Sequence, residues 1–316
     1  MSNDTTMRAV HQDSLGEPDV LAVVDLPRPT PRTNEVLVRV EAASVNPTDW
    51  KHRRNGGFLG KPPFVLGWDL SGVVEEVGIG VARFSPGDEV FGMLSYPFGH
   101  GAHAGYVTAP AAWFAPKPDS LDHVQAAALP LVSLTAWQAL VEYADIQPDQ
   151  RVLIHAAAGG VGHVAVQLAK ARGAYVIGTA SAGKHDFLRE LGVDEAIDYH
   201  EVDIVEAVSD VDAVLDTIGG ETSLHSLRTL RPDGIVVSIL PVGSDDFYRE
   251  ADELGVRAVR MLVDASRHDL VSITELVEKG ALRATIADVF PLEQAAEAHR
   301  RGETGRTTGK MVLTTG

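Results

Sequence analysis

Apolar runs separated by stretches of helical periodicity dominate the middle of the chain, whereas its first third alternates apolar and polar positions. From Arg151 to Lys170 the sequence reads RVLIHAAAGGVGHVAVQLAK. Val152, Leu153 and Ile154 form the short continuous run of a strand buried on both faces. Val161, Val164, Ala165, Leu168 and Ala169 then recur at helical spacing, which predicts a helix beginning within the glycines. Further strands are predicted at Tyr175–Thr179, Glu195–Tyr199, Val211–Thr217, Ile235–Leu240 and Val256–Val263. Helices are predicted at Lys184–Leu191 and Thr222–Leu230, the second stopping at Pro232-Asp233-Gly234. Six strands alternating with helices imply a doubly wound parallel sheet.

The first 117 residues have a different rhythm. Met7–Val10, Asp19–Asp25 and Val36–Ser44 alternate or carry β-branched residues, and Val65–Val77 reads as a longer strand bent at Gly72. Glu89–Phe91, Tyr106–Thr108 and Trp113–Ala115 are shorter candidates, and together these strands predict a small, partly open β-barrel. Asp122 and Gln125 form a helix-start pair. Pro130 breaks or kinks the helix that follows, which resumes over Leu134–Tyr143. After Val263, Asp269–Glu278 is helical, Leu282–Phe290 extended, Leu292–Arg301 helical and Lys310–Thr314 a last strand. That tail is too small to fold alone, so it should return to the barrel. The predicted division is 1–126 and 266–316 for the barrel domain, with 127–265 inserted as the dinucleotide-binding domain.

The glycine-rich stretch carries the strongest chemistry. Its spacing is A-x-x-G-x-x-G (Ala156, Gly159, Gly162), a variant of the dinucleotide fingerprint. Ala158, Gly159, Gly160, Val161 and Gly162 place small residues where a strand turns into a helix. The unpaired N–H groups and the dipole of that helix start favour a pyrophosphate.

Composition narrows the partners. With 316 residues, 45% hydrophobic and 22% charged, the chain suits a two-domain globular protein. A formal charge of −17 disfavours nucleic acid and anionic membranes as partners. No apolar run has the length of a bilayer span, and MSNDTTM lacks the features of a signal peptide, so a cytoplasmic protein is expected. Cysteine is absent, which removes thiolate nucleophiles and thiolate metal sites.

An NAD-selective fold places Asp or Glu at the end of the second strand, on the ribose 2′-hydroxyl. Here that region reads Gly178-Thr179-Ala180-Ser181-Ala182-Gly183-Lys184, with no carboxylate before Asp186. A carboxylate beside a 2′-phosphate would cost roughly 4 kcal/mol per unit-charge pair near 4 Å at an effective dielectric of about 20. Its absence permits NADP, with Ser181 and Lys184 as phosphate ligands; the bland alternative is a solvated loop.

The chain resembles the medium-chain dehydrogenase/reductase superfamily, and within it the zinc-independent quinone oxidoreductases. The resemblance rests on Asn46-Pro47-Thr48-Asp49, Gly67-Trp68-Asp69-Leu70-Ser71-Gly72-Val73-Val74 and Pro86-Gly87-Asp88-Glu89-Val90-Phe91. It extends to Leu134-Thr135-Ala136, the Ala156–Gly162 motif and Gly309-Lys310-Met311-Val312-Leu313. It implies an α/β protein whose Rossmann sheet is inserted into a GroES-like catalytic domain. NADPH is the implied cofactor, and a homodimer through the edge strand near Val256–Val263 the implied assembly. By the same resemblance Ser181, Lys184 and Tyr199 meet the 2′-phosphate, and Thr135, Ile239 and Leu240 lie beside the nicotinamide. Lys310 joins the cofactor contacts, and Asn46 and Asp49 stand at the substrate end.

Departures from the family pattern matter as much. Zinc alcohol dehydrogenases carry Gly-His-Glu where this chain has Gly67-Trp68-Asp69, and Trp cannot ligate a metal. His100 and His103 lie in a Gly-rich loop without a third ligand; metal binding, substrate lining and plain solvation are the alternatives there. Without zinc, hydride transfer suits a small, hydrophobic, electron-poor acceptor such as a quinone or conjugated enone. Asn46 is the first candidate donor to its carbonyl, against a simple turn role before Pro47. Asp49 orients neighbours or the nicotinamide ribose. Trp50, Phe58, Trp68 and Tyr96 line the acceptor pocket or belong to the core. His155 and His163 are read as structural. Rival functions are an enoyl-thioester reductase and an NADPH-binding protein without turnover.

Overall fold

The structure, a computed structural model, describes residues 5–242 and 246–316; Met1–Asp4 of the MSNDTTM stretch lie outside them. The chain separates into two compact units, one of Met1–Leu131, Asp264–Glu278 and Ala284–Gly316, the other of Val132–Val263 and Lys279–Arg283. Residues 127–131, expected in the inserted domain, cluster with the first unit. The reason is packing: Ala127 and Ala128 bury against Ala42 and Val312, and Leu131 packs on Phe64, Leu66 and Trp68. Residues 279–283 join the second unit, where the Gln167 amide donates to the Arg283 carbonyl at 2.9 Å and accepts its N–H at 3.0 Å.

In the first unit the chain forms β1 (Thr6–Gln12), β2 (Ala22–Pro27), β3 (Glu35–Val45), α1 (Pro47–Asn55), β4 (Phe64–Val65), β5 (Asp69–Val77), β6 (Glu89–Met93), β7 (Tyr106–Pro110), β8 (Phe114–Pro116) and α2 (His123–Ala127). The sheet order is β6 between β5 and β8, with β3 pairing both β5 and β7. The expected single strand over Val65–Val77 is two strands. Gly67, at φ +96°, turns the chain between them, and a Cβ there would lie 2.5 Å from the His103 ring. The bend expected at Gly72 is a register shift, where Val40 pairs Gly72 but Ala42 pairs Ser71. Val38, Val40, Leu70, Val90 and Phe114 fill the interior of this barrel. The Asp122–Gln125 capping box opens α2, and Pro130 starts α3 (Pro130–Trp137), which runs into a π-helical turn over Gln138–Tyr143.

The second unit continues with β9 (Arg151–Ile154), α4 (Gly160–Ala171), β10 (Tyr175–Ala180), α5 (His185–Glu190), β11 (Glu195–Asp198), α6 (Ile204–Ala207), β12 (Val211–Asp216), α7 (Glu221–Leu227), β13 (Leu230–Ser238), α8 (Asp246–Leu254) and β14 (Arg257–Arg260). All six strands are parallel, in the order β11-β10-β9-β12-β13-β14. That is the doubly wound dinucleotide-binding order, reversing direction between β9 and β12. Leu153, Ile177, Val214 and Val236 form the buried face that makes these strands continuous apolar runs. Pro232-Asp233-Gly234 does not end a helix as expected. It lies within β13, where pairing with β12 shifts between Val211 and Ala213 and absorbs the extra residues as a bulge.

The return segment supplies α9 (Arg267–Glu278), β15 (Ile286–Pro291), α10 (Ala295–Glu303) and β16 (Lys310–Thr314). β16 pairs antiparallel with β3 and parallel with β15, completing the barrel sheet as the tail's size required. Among the described residues no helix is long and apolar enough to cross a membrane.

Candidate active site

At the carboxyl edge of the parallel sheet several predicted cofactor residues converge. Gly159 caps α4, and Gly159, Gly160 and Val161 are only half-buried at its start. A Cβ on Gly162 would lie 2.3 Å from the Ala156 carbonyl oxygen, so this glycine lets the helix close on the preceding turn. The first-turn N–H groups have no acceptor within the helix, and with its dipole they suit a diphosphate. Ile239 and Leu240, half-buried, follow β13 at the same edge, where the Ile239 N–H donates to the Asp216 carbonyl at 3.0 Å. Asp216 itself was not singled out from the sequence. Its buried carboxylate accepts the Ile218 and Gly219 N–H groups at 2.9 and 3.0 Å and the Ser238 hydroxyl at 2.8 Å, ordering the loop after β12. Thr135 is buried in α3. His155 and His163 are buried and internally bonded, to the Ser226 hydroxyl and the Gly159 carbonyl, as read from the sequence.

Ser181 and Lys184 lie in the loop after β10, and Tyr199 follows β11, exposed and packed at a tilt against His200 with ring centres 4.1 Å apart. Burial lowers the Lys184 pKa. Strand pairing adds a carboxylate that sequence reading overlooked: Ala180 is in register with Asp198. Asp198 accepts the His200 and Ala182 N–H groups at 3.0 and 2.9 Å, and the His200 bond is the main reason its carboxyl pKa is lowered. The cross-strand neighbour of Ala180 is eighteen positions away in sequence, so the residues next to β10 give no sign of it.

Asn46, Asp49 and Lys310 come together in the first unit, but as a buried network. The Asn46 amide donates to Asp69 Oδ1 at 2.8 Å and weakly to the Ser44 hydroxyl at 3.4 Å, and its oxygen accepts the Lys310 ammonium. With the side chain 1% exposed, both amide protons face inward, and direct donation to an acceptor carbonyl is not the geometry found. Asp49 is buried too, its two oxygens taking the Asn46 and Gly67 N–H groups at 2.6 and 2.9 Å. Both oxygens are thus taken up by backbone groups of the segments around it, away from the surface. Burial pushes its carboxyl up to about 6, against the lowering influence of His103. Lys310 is 3% exposed, and burial lowers its pKa while Asp69 and Asp49 raise it. Its side chain therefore faces this network rather than a cofactor.

A second group of side chains in the same unit remains accessible. Phe58 is 49% exposed and its ring lies 6.1 Å from Tyr96, edge to face; Tyr96 is half-buried. His52 packs at 5.0 Å on Trp68 and at 6.3 Å on Tyr96. Thr48, one turn before His52 on α1, approaches its Nδ1 at 3.0 Å and donates to the Tyr96 hydroxyl at 3.3 Å. Of the four aromatics expected at the acceptor pocket, Trp68 is fully buried with its indole N–H on the Pro97 carbonyl, and Trp50 packs with Leu292, Ala298 and Met311 in the core. Thr48 and His52 were missed; the i, i+4 spacing of a hydroxyl and an imidazole on one helix face was the available signal.

Comparison with known proteins decides the family. Residues 32–119 match the alcohol dehydrogenase GroES-like domain, and residues 191–313 match a zinc-binding dehydrogenase profile. A 2-haloacrylate reductase of Burkholderia sp is 35% identical, over 94% of this chain and 96% of its own. The chain belongs to the medium-chain dehydrogenase/reductase superfamily. Its structure resembles the quinone oxidoreductase from Coxiella burnetii at TM-score 0.93 and 39% identity, covering 98% of this chain and 100% of that one. It also resembles the Escherichia coli quinone oxidoreductase complexed with NADPH, at TM-score 0.90 and 30% identity, with 98% and 100% covered. This member of the superfamily is an oxidoreductase enzyme.

The superfamily includes zinc enzymes, but these residues do not suit that ion. The chain has no cysteine, and the Lys310 ammonium already stands among Asn46, Asp49 and Asp69. Among the described residues no three His, Asp or Glu side chains are grouped to hold a metal. His100 and His103 do not converge: His100 bonds the Val65 carbonyl at 2.7 Å, while fully buried His103 bonds the Ser44 carbonyl at 3.1 Å. Of the three alternatives for that loop, His103 takes none; it is a packing residue behind Gly67.

Proposed function

We propose that the chain is an NADPH-dependent, zinc-independent reductase of quinones or α,β-unsaturated carbonyls. The observation that carries this reading is the pairing of a glycine-opened α4 with a β10 loop that offers Ser181 and Lys184 and no acidic side chain before Asp186. A nicotinamide cofactor, supported by relatives named as NAD(P)H oxidoreductases and by the NADPH complex of the E. coli enzyme, supplies a hydride when bound. Gly159 to Val161 receive its diphosphate, Ser181, Lys184 and Tyr199 its 2′-phosphate, and Thr135, Ile239 and Leu240 flank its nicotinamide. The acceptor is small, flat and electron-poor, and rests on Phe58 and Tyr96; the names of the relatives support that class. Asn46, Asp49 and Lys310 hold the framework behind it.

Two further parts of the reading are ours. A homodimer forms through the outer edge of β14, the terminal strand of the parallel sheet, with Leu254 and Leu262 exposed near it. The protein works in the cytoplasm, although a relative at 33% identity is named for the chloroplast envelope.

The test is NADPH and NADH oxidation with a panel of quinones, enones and acyl-thioesters, alongside calorimetry of both cofactors. Turnover of quinones or enones with a lower KM for NADPH is expected. Preference for acyl-thioesters would replace the acceptor class, and tight NADPH binding without turnover would make the chain a binding protein.

A further inference from the structure

We propose that Thr179, near the end of β10, is a positioning residue for the cofactor's diphosphate: its hydroxyl holds the backbone turn from which α4 starts. The role presupposes the cofactor reading above. The turn needs holding because Ala156 has φ +46°, in the left-handed region that a residue with a Cβ rarely adopts. Two consecutive N–H groups of the turn are both taken by Thr179. The Ala156 N–H donates to its Oγ1 at 3.1 Å, and the Ala157 N–H to its carbonyl at 2.9 Å. The Ala156 carbonyl in turn accepts the Gly159 N–H at 2.8 Å, so the residue that caps α4 is placed by the conformation of Ala156. A backbone change at Ala156 therefore moves the first-turn N–H groups that receive the diphosphate.

The Thr179 hydroxyl has one orientation, set from α7. Thr179 and His155 are 3% and 4% exposed, and Ser226 is fully buried. The Ser226 hydroxyl donates at 2.6 Å to the Thr222 carbonyl, which can only accept. The 2.9 Å bond between Ser226 and His155 is therefore donated by the imidazole Nε2–H. Burial lowers the His155 pKa, against the raising influence of Asp216, and keeps the ring neutral. Its Nδ1 then carries the lone pair and accepts the Thr179 hydroxyl proton at 3.4 Å.

With its proton turned to His155, Thr179 Oγ1 presents a lone pair to the Ala156 N–H. The buried polar row runs from Ala156 through Thr179, His155 and Ser226 to the Thr222 carbonyl, with every proton assigned. A valine at 179 has nearly the same shape but neither accepts nor donates. It would strand the Ala156 N–H in the interior and let the left-handed turn relax.

Calorimetry on the full chain compares the wild type with Thr179→Val and Thr179→Ser. The probes are NADPH, NADH and ADP-ribose, which carry the diphosphate, and adenosine 2′-monophosphate, which does not. Thr179→Val should weaken the first three alike, by about threefold to tenfold, the worth of one neutral hydrogen bond, and leave adenosine 2′-monophosphate unchanged. Thr179→Ser keeps the hydroxyl and should restore the affinity. Glycine adopts φ +46° without strain, so Ala156→Gly added to Thr179→Val should recover part of the loss, which a packing defect at 179 would not. Thr179→Ala replaces the valine variant if that one does not fold, with the same losses expected. Unchanged ADP-ribose affinity, or a loss that extends to adenosine 2′-monophosphate, overturns the positioning role and leaves the cofactor reading standing. A wild type that binds neither nicotinamide cofactor nor ADP-ribose overturns both.

Discussion

Two lysines show how differently the units handle charge. Lys310 lies in a dry interior, 3% exposed, between Asp49 and Asp69 and bonded to the Asn46 oxygen. Lys184 sits in the loop after β10, where Asp198 spends its two oxygens on backbone N–H groups. The first ammonium holds protein together, bonded to the Asn46 oxygen and the Val45 carbonyl with the charges of Asp69 and Asp49 close enough to act on it. The second is only half-buried, in a loop at the edge of the parallel sheet. A lysine next to a motif is thus no more a ligand than one far from it; what separates them is which carboxylates the fold has placed within reach.

The sharpest way to break this comparison is to remove the buried charge. Lys310→Met should cost about 3–5 kcal/mol of unfolding free energy in denaturant melts, because it takes a compensating charge away from buried Asp49 and Asp69 and leaves the Asn46 oxygen without its donor. A loss below about 1 kcal/mol would mean that water reaches the network.

The same network carries a pH signature. Asp49 titrates at about 6 in the folded chain against an ordinary 3.8, so folding favours its protonated form. That stabilisation is complete below about pH 4 and lost as pH rises through about 6, on the order of 3 kcal/mol from a shift of this size. On going from about pH 7.5 to about 4.5, the wild type should gain stability relative to Asp49→Asn, read by urea melts at each pH. Equal slopes for the two proteins would remove Asp49 from the buried set.

On the exposed side the effects are smaller and fall on ligand selectivity. Lys184→Ala should raise the KM for NADPH by about tenfold, the worth of one charge-assisted hydrogen bond, while leaving NADH unchanged. Equal changes for both cofactors would break the phosphate assignment. Asp198→Asn should improve NADPH binding a few-fold at low salt and less at high salt, as a nearby exposed carboxylate is screened. An improvement that ignores ionic strength would point to loop rearrangement instead.

Most of the second unit was legible because its signals are local. The apolar run of β9, the small residues at 156–162 and the periodicity of α4 lie within twenty positions, and each neighbour in the chain is a neighbour in space. The misread Pro232-Asp233-Gly234 shows the limit: three turn-forming residues form a bulge because β12 and β13 are held in register on either side. In the first unit the sequence put Asn46 and Asp49 at the substrate end and Lys310 apart from them among the cofactor contacts, and the buried network that joins the three was not visible. Whether an amide points at solvent or at Asp69 depends on strands and turns that close only when β16 joins β3.

The residue order alone determined two things about this protein: a parallel sheet opened by glycines, and a cysteine-free barrel unit completed by the tail. Both follow from periodicity and side-chain chemistry, which are properties of the chain itself. Tertiary structure decided which polar groups meet water. It buried Asn46, Asp49 and Lys310 and left Tyr96 half-open behind Thr48 and His52. It also brought Asp198 alongside Ala180 and Ala182, in the loop that carries Ser181 and Lys184. Desolvation is the reason, because the environment of a charge or hydroxyl is set by segments that pack against it from far along the chain.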